Sequence, residues 1–279
     1  AQWFRGKDRG LAVGIYMTGP WIGGMFALSA TNRFIMPLTG YSWRLTFVCY
    51  GLLALGIALL WWFLAKEASS SGTDESVGIM EVFLGLIKVP NVRMVLLSGL
   101  LAFAINHGYT NWLPKILEGK GMSPSTAGIT ASLPLLAGIP AVLALPALIP
   151  ARFRVRGIGV LAFLAASAIL VLVNASGVIL LFGLALFGVV GSGMVPLLIL
   201  NLMDTPEVDS KYLGSAGGIF YCISDFGGFM GPLVVGALVD LTGTFISGAF
   251  FLIGLCLVIF SMTFILKPRP VLDSGAHCK

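Results

Sequence analysis

The sequence predicts an all-α membrane protein, and three observations carry that prediction. Apolar residues fill 57% of the 279 positions and charged residues only 10%, against roughly 25% charged in an ordinary soluble domain. Mean hydropathy is +0.97. The apolar residues also gather in long runs: crossing a hydrocarbon core of about 30 Å takes roughly 20 helical residues, and a helix satisfies its own backbone there. A single soluble core cannot hide so much apolar surface. The same composition excludes a disordered segment, a nucleic-acid module and a disulfide-stapled secreted domain.

Eight runs bounded by charges or turn residues fall at roughly 11–32, 43–65, 92–112, 125–149, 157–173, 177–200, 213–238 and 244–266. Between the second and third lies Lys66 to Ser76, a polar flexible linker, and then Val77 to Lys88, apolar on much of its surface but too short to span. A helix lying on the membrane surface fits that stretch, with Asp74 or Ser76 available to cap it and Pro90-Asn91 ending it. The fourth run carries Pro134, Pro140 and Pro146, and Pro20, Pro196 and Pro232 interrupt others. Each removes a backbone hydrogen bond and can kink its helix, to shape a cavity or to fit neighbours.

Orientation follows from the cations, because Lys and Arg are retained on the cytoplasmic side in short loops. One side collects Arg5, Lys7, Arg9, Lys66, Lys88, Arg93, Arg152, Arg154, Arg156, Lys211, Lys267, Arg269 and Lys279; the other holds Arg33, Arg44, Lys115 and Lys120. Both termini and the linker are expected to be cytoplasmic, in a cell membrane. The net charge of +5 thus serves topology and implies no nucleic-acid partner. Cys49, Cys222, Cys256 and Cys278 show no C-x-x-C or zinc spacing, so no metal, cofactor or redox role follows.

Internal repetition is visible. Residues 10–28 shifted by 204 match Gly10/Gly214, Ala12/Ala216, Gly14/Gly218, Ile15/Ile219, Gly23/Gly227 and Gly24/Gly228. Duplicated helix sets are common in transporters. The first two runs then correspond to the last two, a six-helix unit is present once whole and once as its final third, and four helices are expected upstream. The opening Ala1-Gln2-Trp3-Phe4-Arg5, with neither an initiator Met nor a signal-peptide pattern, agrees with a cut start. The expected organisation is 1–65 as the end of one half, 66–91 as linker and surface helix, 92–266 as a complete second half, and 267–279 as a tail.

Trp3-Phe4, Arg9-Gly10-Leu11-Ala12-Val13-Gly14, Gly19-Pro20-Trp21-Ile22-Gly23-Gly24 and Trp43-Arg44-x-x-Phe47 resemble the fourth loop and the fifth and sixth helices of the major facilitator superfamily. Trp112-Leu113-Pro114, the glycine series from Gly214 to Gly236 with Gly231-Pro232, and Asp240-x-x-Gly243 resemble its second half. Gly14 stands one position earlier than in the family's fifth-helix pattern, and Pro150 to Arg156 keeps the cations of the family's gating loop, Arg152, Arg154 and Arg156, without its Asp and Gly. Within the superfamily the pattern is most similar to the cyanate and nitroimidazole permease group. The resemblance implies the major facilitator fold, eight of twelve transmembrane helices, a monomeric carrier and small anionic or polar solutes.

Candidate functional residues are the polar ones within spans, since an ionisable group there costs about 2.5–3.5 kcal/mol on insertion scales. Asp225 lies near the middle of its run, one turn after Tyr221, and is read either as a coupling or substrate group or as a neutral acid satisfied by neighbours. Asn106, His107, Tyr109 and Asn111 cluster near the end of the third run, and the resemblance turns them toward the central cavity, against ordinary interfacial polarity beside Trp112. The resemblance does the same for Ser192. Gly19/Gly23, Gly214/Gly218 and Gly227/Gly231, with Gly24, Gly228, Pro20 and Pro232, are read as close helix packing or as seams for rocking of one half against the other. Asp204, Glu207, Asp209 and Lys211 read as solvated loop charges, and Asp240 as a turn residue.

The sequence therefore points to a secondary active transporter moving a small solute by alternating access, an anion being one candidate and proton coupling an open one. A membrane-embedded enzyme would need a nucleophile with its base or metal ligands; neither H-E-x-x-H nor G-x-S-x-G occurs. A channel would show filter repeats or rings of charge. A non-transporting helical scaffold is the remaining alternative.

Overall fold

The structure is a computed structural model that describes residues 7–65, 79–205, 208 and 213–265, with only the backbone for 7–18, 79 and 82. Among the described residues eleven α-helices follow one another: α1 (Lys7–Ala30), α2 (Met36–Leu38), α3 (Trp43–Leu64), α4 (Ile79–Lys88), α5 (Pro90–Gly119), α6 (Pro124–Ala131), α7 (Leu133–Leu148), α8 (Arg154–Asn174), α9 (Gly177–Met203), α10 (Leu213–Thr242) and α11 (Phe245–Met262). The third to eighth expected runs appear as α5, α6 with α7, α8, α9, α10 and α11, and the second as α3. Seven helical segments among the described residues are long and apolar enough to cross a membrane. The first run is α1, continuous through Pro20.

Local chemistry sets the boundaries. Ser42 caps α3 by accepting from the Leu45 N–H, Ser123 caps α6 from Thr126, and Pro90 opens α5 where its missing N–H is not needed. Pro134 coincides with the break that divides α6 from α7 at Ser132. After α1 the chain loosens into a π-helical turn, Thr31–Ile35, and then reverses through Gly40 and Tyr41, both at positive φ. The Thr31 hydroxyl is bonded to the Ala27 carbonyl and to the Tyr50 hydroxyl. Asp240 lies inside the last turns of α10 rather than in a loop, because the chain reverses three residues later at Gly243, where φ is +71°.

The core lies among α5, α8, α9, α10 and α11. Val92, Val95, Leu113, Leu117, Ile158, Leu184, Leu197 and Phe220 are fully buried there. By contrast α3 buries only Thr46 and leaves Leu52, Ile57, Trp61 and Phe63 exposed. The short α4 lays Leu86 and Phe83 against the bundle and leaves Met80 and Leu84 exposed. The linker from Lys66 to Ser76 with its proposed caps, the loop residues Glu207, Asp209 and Lys211, and the tail lie outside the described residues.

Glycine contacts divide the expected pairs. A Cβ at Gly227 would overlap the Leu100 carbonyl and one at Gly231 the Ala104 carbonyl, so α10 and α5 pack backbone on backbone. Gly188 meets Pro134 in the same way, joining α9 to α7. Gly19, Gly23, Gly214 and Gly218 have nothing within 4 Å of such an atom. The close packing expected of them is therefore absent among the described residues: identical spacing makes a seam only where a second helix covers that face. At the end of α1 nearest the π-turn, Gly128 of α6 rests against the Leu28 carbonyl, and Asn32 Nδ2 donates to the Pro124 carbonyl at 3.4 Å.

At the opposite end of the bundle Arg154, the first residue of α8, forms an ion pair with Asp204 just past α9, and Asn91 donates to Thr205 at 3.0 Å. Asp204 is thus a partnered charge rather than a purely solvated one, and its partner is 50 residues away in sequence. Arg152 and Arg156 are exposed, Arg152 over the Phe153 ring. Asp204→Ala strands a mostly buried guanidinium and is expected to cost about 1–3 kcal/mol. The thermal unfolding midpoint in detergent checks this, and Arg154→Ala made in addition should cost little more.

Candidate substrate cavity

Side chains of five helices surround a cavity of about 830 Å³, within the usual range for small-molecule sites. From α5 come Phe103, Asn106, His107, Thr110 and Asn111, and from α10 Tyr221 and Asp225. These spacings of three and four place each set on one helical face. From α9 come Gly191, Ser192, Val195 and Pro196, from α7 Leu135 and Val142, and from α1 Pro20, Trp21, Gly24, Ala27 and Leu28. The cavity therefore lies between α1 on one side and α5, α7, α9 and α10 on the other.

The wall is organised around Phe103. Its ring stacks on His107, with centroids 5.8 Å apart at 27°, and meets Tyr221 edge to face at 6.2 Å and 74°. Gly228 lies beneath the imidazole, where a Cβ would come within 3.2 Å of it. Asn106 reaches into the space that Gly191 leaves, and its backbone carbonyl accepts from the Thr110 hydroxyl at 2.7 Å. Asp225 is exposed on the wall, so its carboxyl meets the cavity rather than being shut among apolar neighbours. Among the described lining residues Asp225 and His107 are the ionisable groups apart from the Tyr221 phenol, and there is no ammonium or guanidinium.

Asp225, His107, Asn106, Asn111, Ser192 and Tyr221 are thus brought together. Ser192 stands apart in one respect: it is buried, donates to the Gly188 carbonyl at 2.6 Å and packs against Gly138, so its hydroxyl is committed to the α7–α9 seam. Tyr109 is not in this cavity. Two residues beyond His107 it points about 200° around α5, is 1% exposed, and stacks on Phe187 with centroids 3.7 Å apart. It lines a smaller apolar cavity of about 290 Å³ among α5, α8 and α11.

Of the packing candidates, Gly24 faces the Leu135 side chain at 3.1 Å, Pro20 reaches the cavity wall, and the Pro232 carbonyl accepts from Trp112 Nε1 at 2.9 Å. Sequence reasoning gave no role to Trp21, Phe103 or Thr110. Phe103 and Thr110 stand four residues before and three after His107, so extending the polar face of α5 by its period reaches both.

A largely apolar cavity with a polar patch from α5 and α10, enclosed by helices long and apolar enough to cross a membrane, is the arrangement of a membrane carrier for small solutes, and the comparisons with known proteins identify the class as secondary active transporters. The Major Facilitator Superfamily matches residues 1–232, and the chain belongs to that family. It is 26% identical to the hexuronate transporter of Bacillus subtilis (strain 168) over 99% of its own length and 69% of that protein's. It is 23% identical to a probable galactarate/D-glucarate transporter of the same organism, over 97% of its own length and 66% of the relative's. The chain thus spans about two thirds of the length of these relatives. Among solved structures it resembles the Escherichia coli fucose:proton symporter, with a TM-score of 0.64 at 15% identity, covering 91% of this chain and 68% of that one. A second structure of that transporter, in the outward conformation, gives a TM-score of 0.57 over 83% of this chain and 57% of that one. At such identity the likeness is one of fold.

Proposed function

We propose that the protein carries a sugar acid across a cell membrane by alternating access, together with a proton taken up by Asp225. The observation that carries this reading is the exposure of Asp225 on the wall of the central cavity, on the same surface as His107 and the amides of Asn106 and Asn111. The relatives' names supply the solute class. The cavity volume favours a sugar-sized solute over one the size of cyanate, and so this class over the cyanate and nitroimidazole permease group.

An anionic solute and an ionised Asp225 repel each other. At roughly 6 Å and an effective dielectric constant of about 20, the repulsion is about 3 kcal/mol. A proton on Asp225 removes it, so proton and anion bind cooperatively, by about a hundredfold, and neither is carried efficiently alone. His107, stacked on Phe103 in the same cavity, is the hydrogen-bond donor that this reading assigns to the solute. The rest of the reading is a monomeric carrier with both ends of this chain cytoplasmic, 66–91 linking two halves, and α1 with α3 belonging to the first half. The glycine seam along α5 and α10 keeps the second half rigid while α1 and its half move against it.

The test is uptake of labelled D-glucuronate by the full-length protein in proteoliposomes, with the interior at higher pH than the bath. Concentrative uptake that a protonophore abolishes supports the proposal. Uptake indifferent to the protonophore removes proton coupling, and no uptake of any sugar acid removes the solute class.

A further inference from the structure

We infer that the cavity selects the closed-ring form of a singly charged sugar acid over open-chain sugar acids, and that Trp21 supplies the surface on which the ring stacks. This rests on the sugar-acid reading above and narrows it.

Three aromatic side chains reach the cavity from three helices: Trp21 from α1, Phe103 from α5 and Tyr221 from α10. Phe103 and Tyr221 are engaged with each other, and Phe103 also with His107. Trp21 has no ring partner among the described residues. Its six-membered ring touches α7 at Gly138, where a Cβ would lie 3.0 Å from the ring carbon Cζ3. Gly138 thus makes room for the indole, which is held at its edge while the residue still reaches the cavity.

A pyranose fits such a wall. Its C–H bonds, polarised by neighbouring oxygens, present one flat face with positive hydrogens, and an aromatic face is negative. Its hydroxyls project around the rim, toward groups of the kind that Asn106, Thr110 and Asn111 provide. An open-chain polyol has no flat C–H face and loses more torsional freedom on binding. Charge acts in the same direction: a second carboxylate would enter a wall whose described residues hold one carboxyl and no ammonium or guanidinium.

D-glucuronate, D-gluconate and D-glucarate separate these terms. The first is a ring with one carboxylate, the second an open chain with one, the third an open chain with two. Each is used to compete with labelled D-glucuronate uptake by the full-length protein in proteoliposomes. Gluconate is expected to compete about tenfold more weakly than glucuronate, the size of one aromatic contact, and glucarate more weakly still. Trp21→Ala should bring glucuronate close to gluconate, while Trp21→Phe keeps most of the difference. Gluconate competing as well as glucuronate, or Trp21→Ala weakening both alike, overturns the inference and leaves the sugar-acid reading in place. If the wild type takes up neither labelled D-glucuronate nor, in a parallel assay, labelled D-gluconate or D-glucarate, that reading is removed as well. The wild-type comparison needs no variant, so it decides the ring preference even where Trp21→Ala fails to fold.

Discussion

Asp225→Asn in the full-length protein is expected to abolish concentrative, proton-driven uptake while leaving exchange of labelled for unlabelled solute at a substantial fraction of its wild-type rate. Asparagine keeps the size and much of the hydrogen-bonding capacity of a protonated carboxyl, so the cavity wall at Tyr221 and position 225 is preserved. It cannot release a proton. The variant mimics a carrier fixed in its loaded state at this position, and an anion enters without the 3 kcal/mol repulsion estimated above. On the proposed reading the wild-type carrier binds the anion more tightly with a proton on Asp225 than without one; in Asp225→Asn that coupling is gone. Affinities at several pH values, alongside uptake and exchange in proteoliposomes, check it. Undiminished accumulation by Asp225→Asn would falsify the assignment, and loss of exchange together with uptake would make Asp225 a solute ligand instead.

The second large effect is structural. Gly227→Val and Gly231→Val are expected to prevent recovery of folded protein, and the corresponding alanines to lower stability by about 2–4 kcal/mol. Each added Cβ would meet a main-chain carbonyl of α5, at Leu100 or Ala104. A backbone carbonyl cannot rotate away as a flexible side chain can. Relief therefore requires α10 to move off α5, which disturbs the buried surface around Phe220 and the stacking of His107 and Phe103 above it. Gly254→Ala on α11 is the control: nothing lies within 4 Å of its added atom, and the change should be neutral or stabilising by up to about 1 kcal/mol. Size-exclusion profiles and thermal unfolding in detergent compare the three positions, and Gly227→Ala matching Gly254→Ala would contradict the packing described.

What could be read from the sequence follows from which terms act along the chain and which act across it. Helix positions were legible because spanning a bilayer is a one-dimensional demand on length and apolarity, and α5, α8, α9, α10 and α11 overlie the runs that satisfy it. Asn106, His107, Asn111 and Asp225 were legible because polar groups at such depth need a cavity. Tyr109 was grouped with them by proximity in sequence, whereas the helical period sends it to the opposite face, against Phe187. Trp21 and Phe103 were invisible for another reason: an aromatic residue in an apolar run looks the same whether it faces lipid, core or solute. The glycine pairs show the limit most directly. Gly19/Gly23 and Gly227/Gly231 share one spacing, and among the described residues only the second pair meets a neighbouring backbone, because spacing describes a surface and not what covers it. The Arg154–Asp204 pair joins residues 50 positions apart, and no local pattern announces it.

The meeting of α1 and α6 beside the π-turn is main chain against main chain, Leu28 carbonyl on Gly128, with one amide from Asn32 alongside. The Leu28 side chain packs against the apolar core beside it, and among the described residues no ion pair joins the two helices at this point. On the alternating-access reading proposed above, opening at this end parts a main-chain contact and a small apolar one without breaking an ion pair, and a methyl group at position 128, which would press on the Leu28 oxygen, would act as a doorstop.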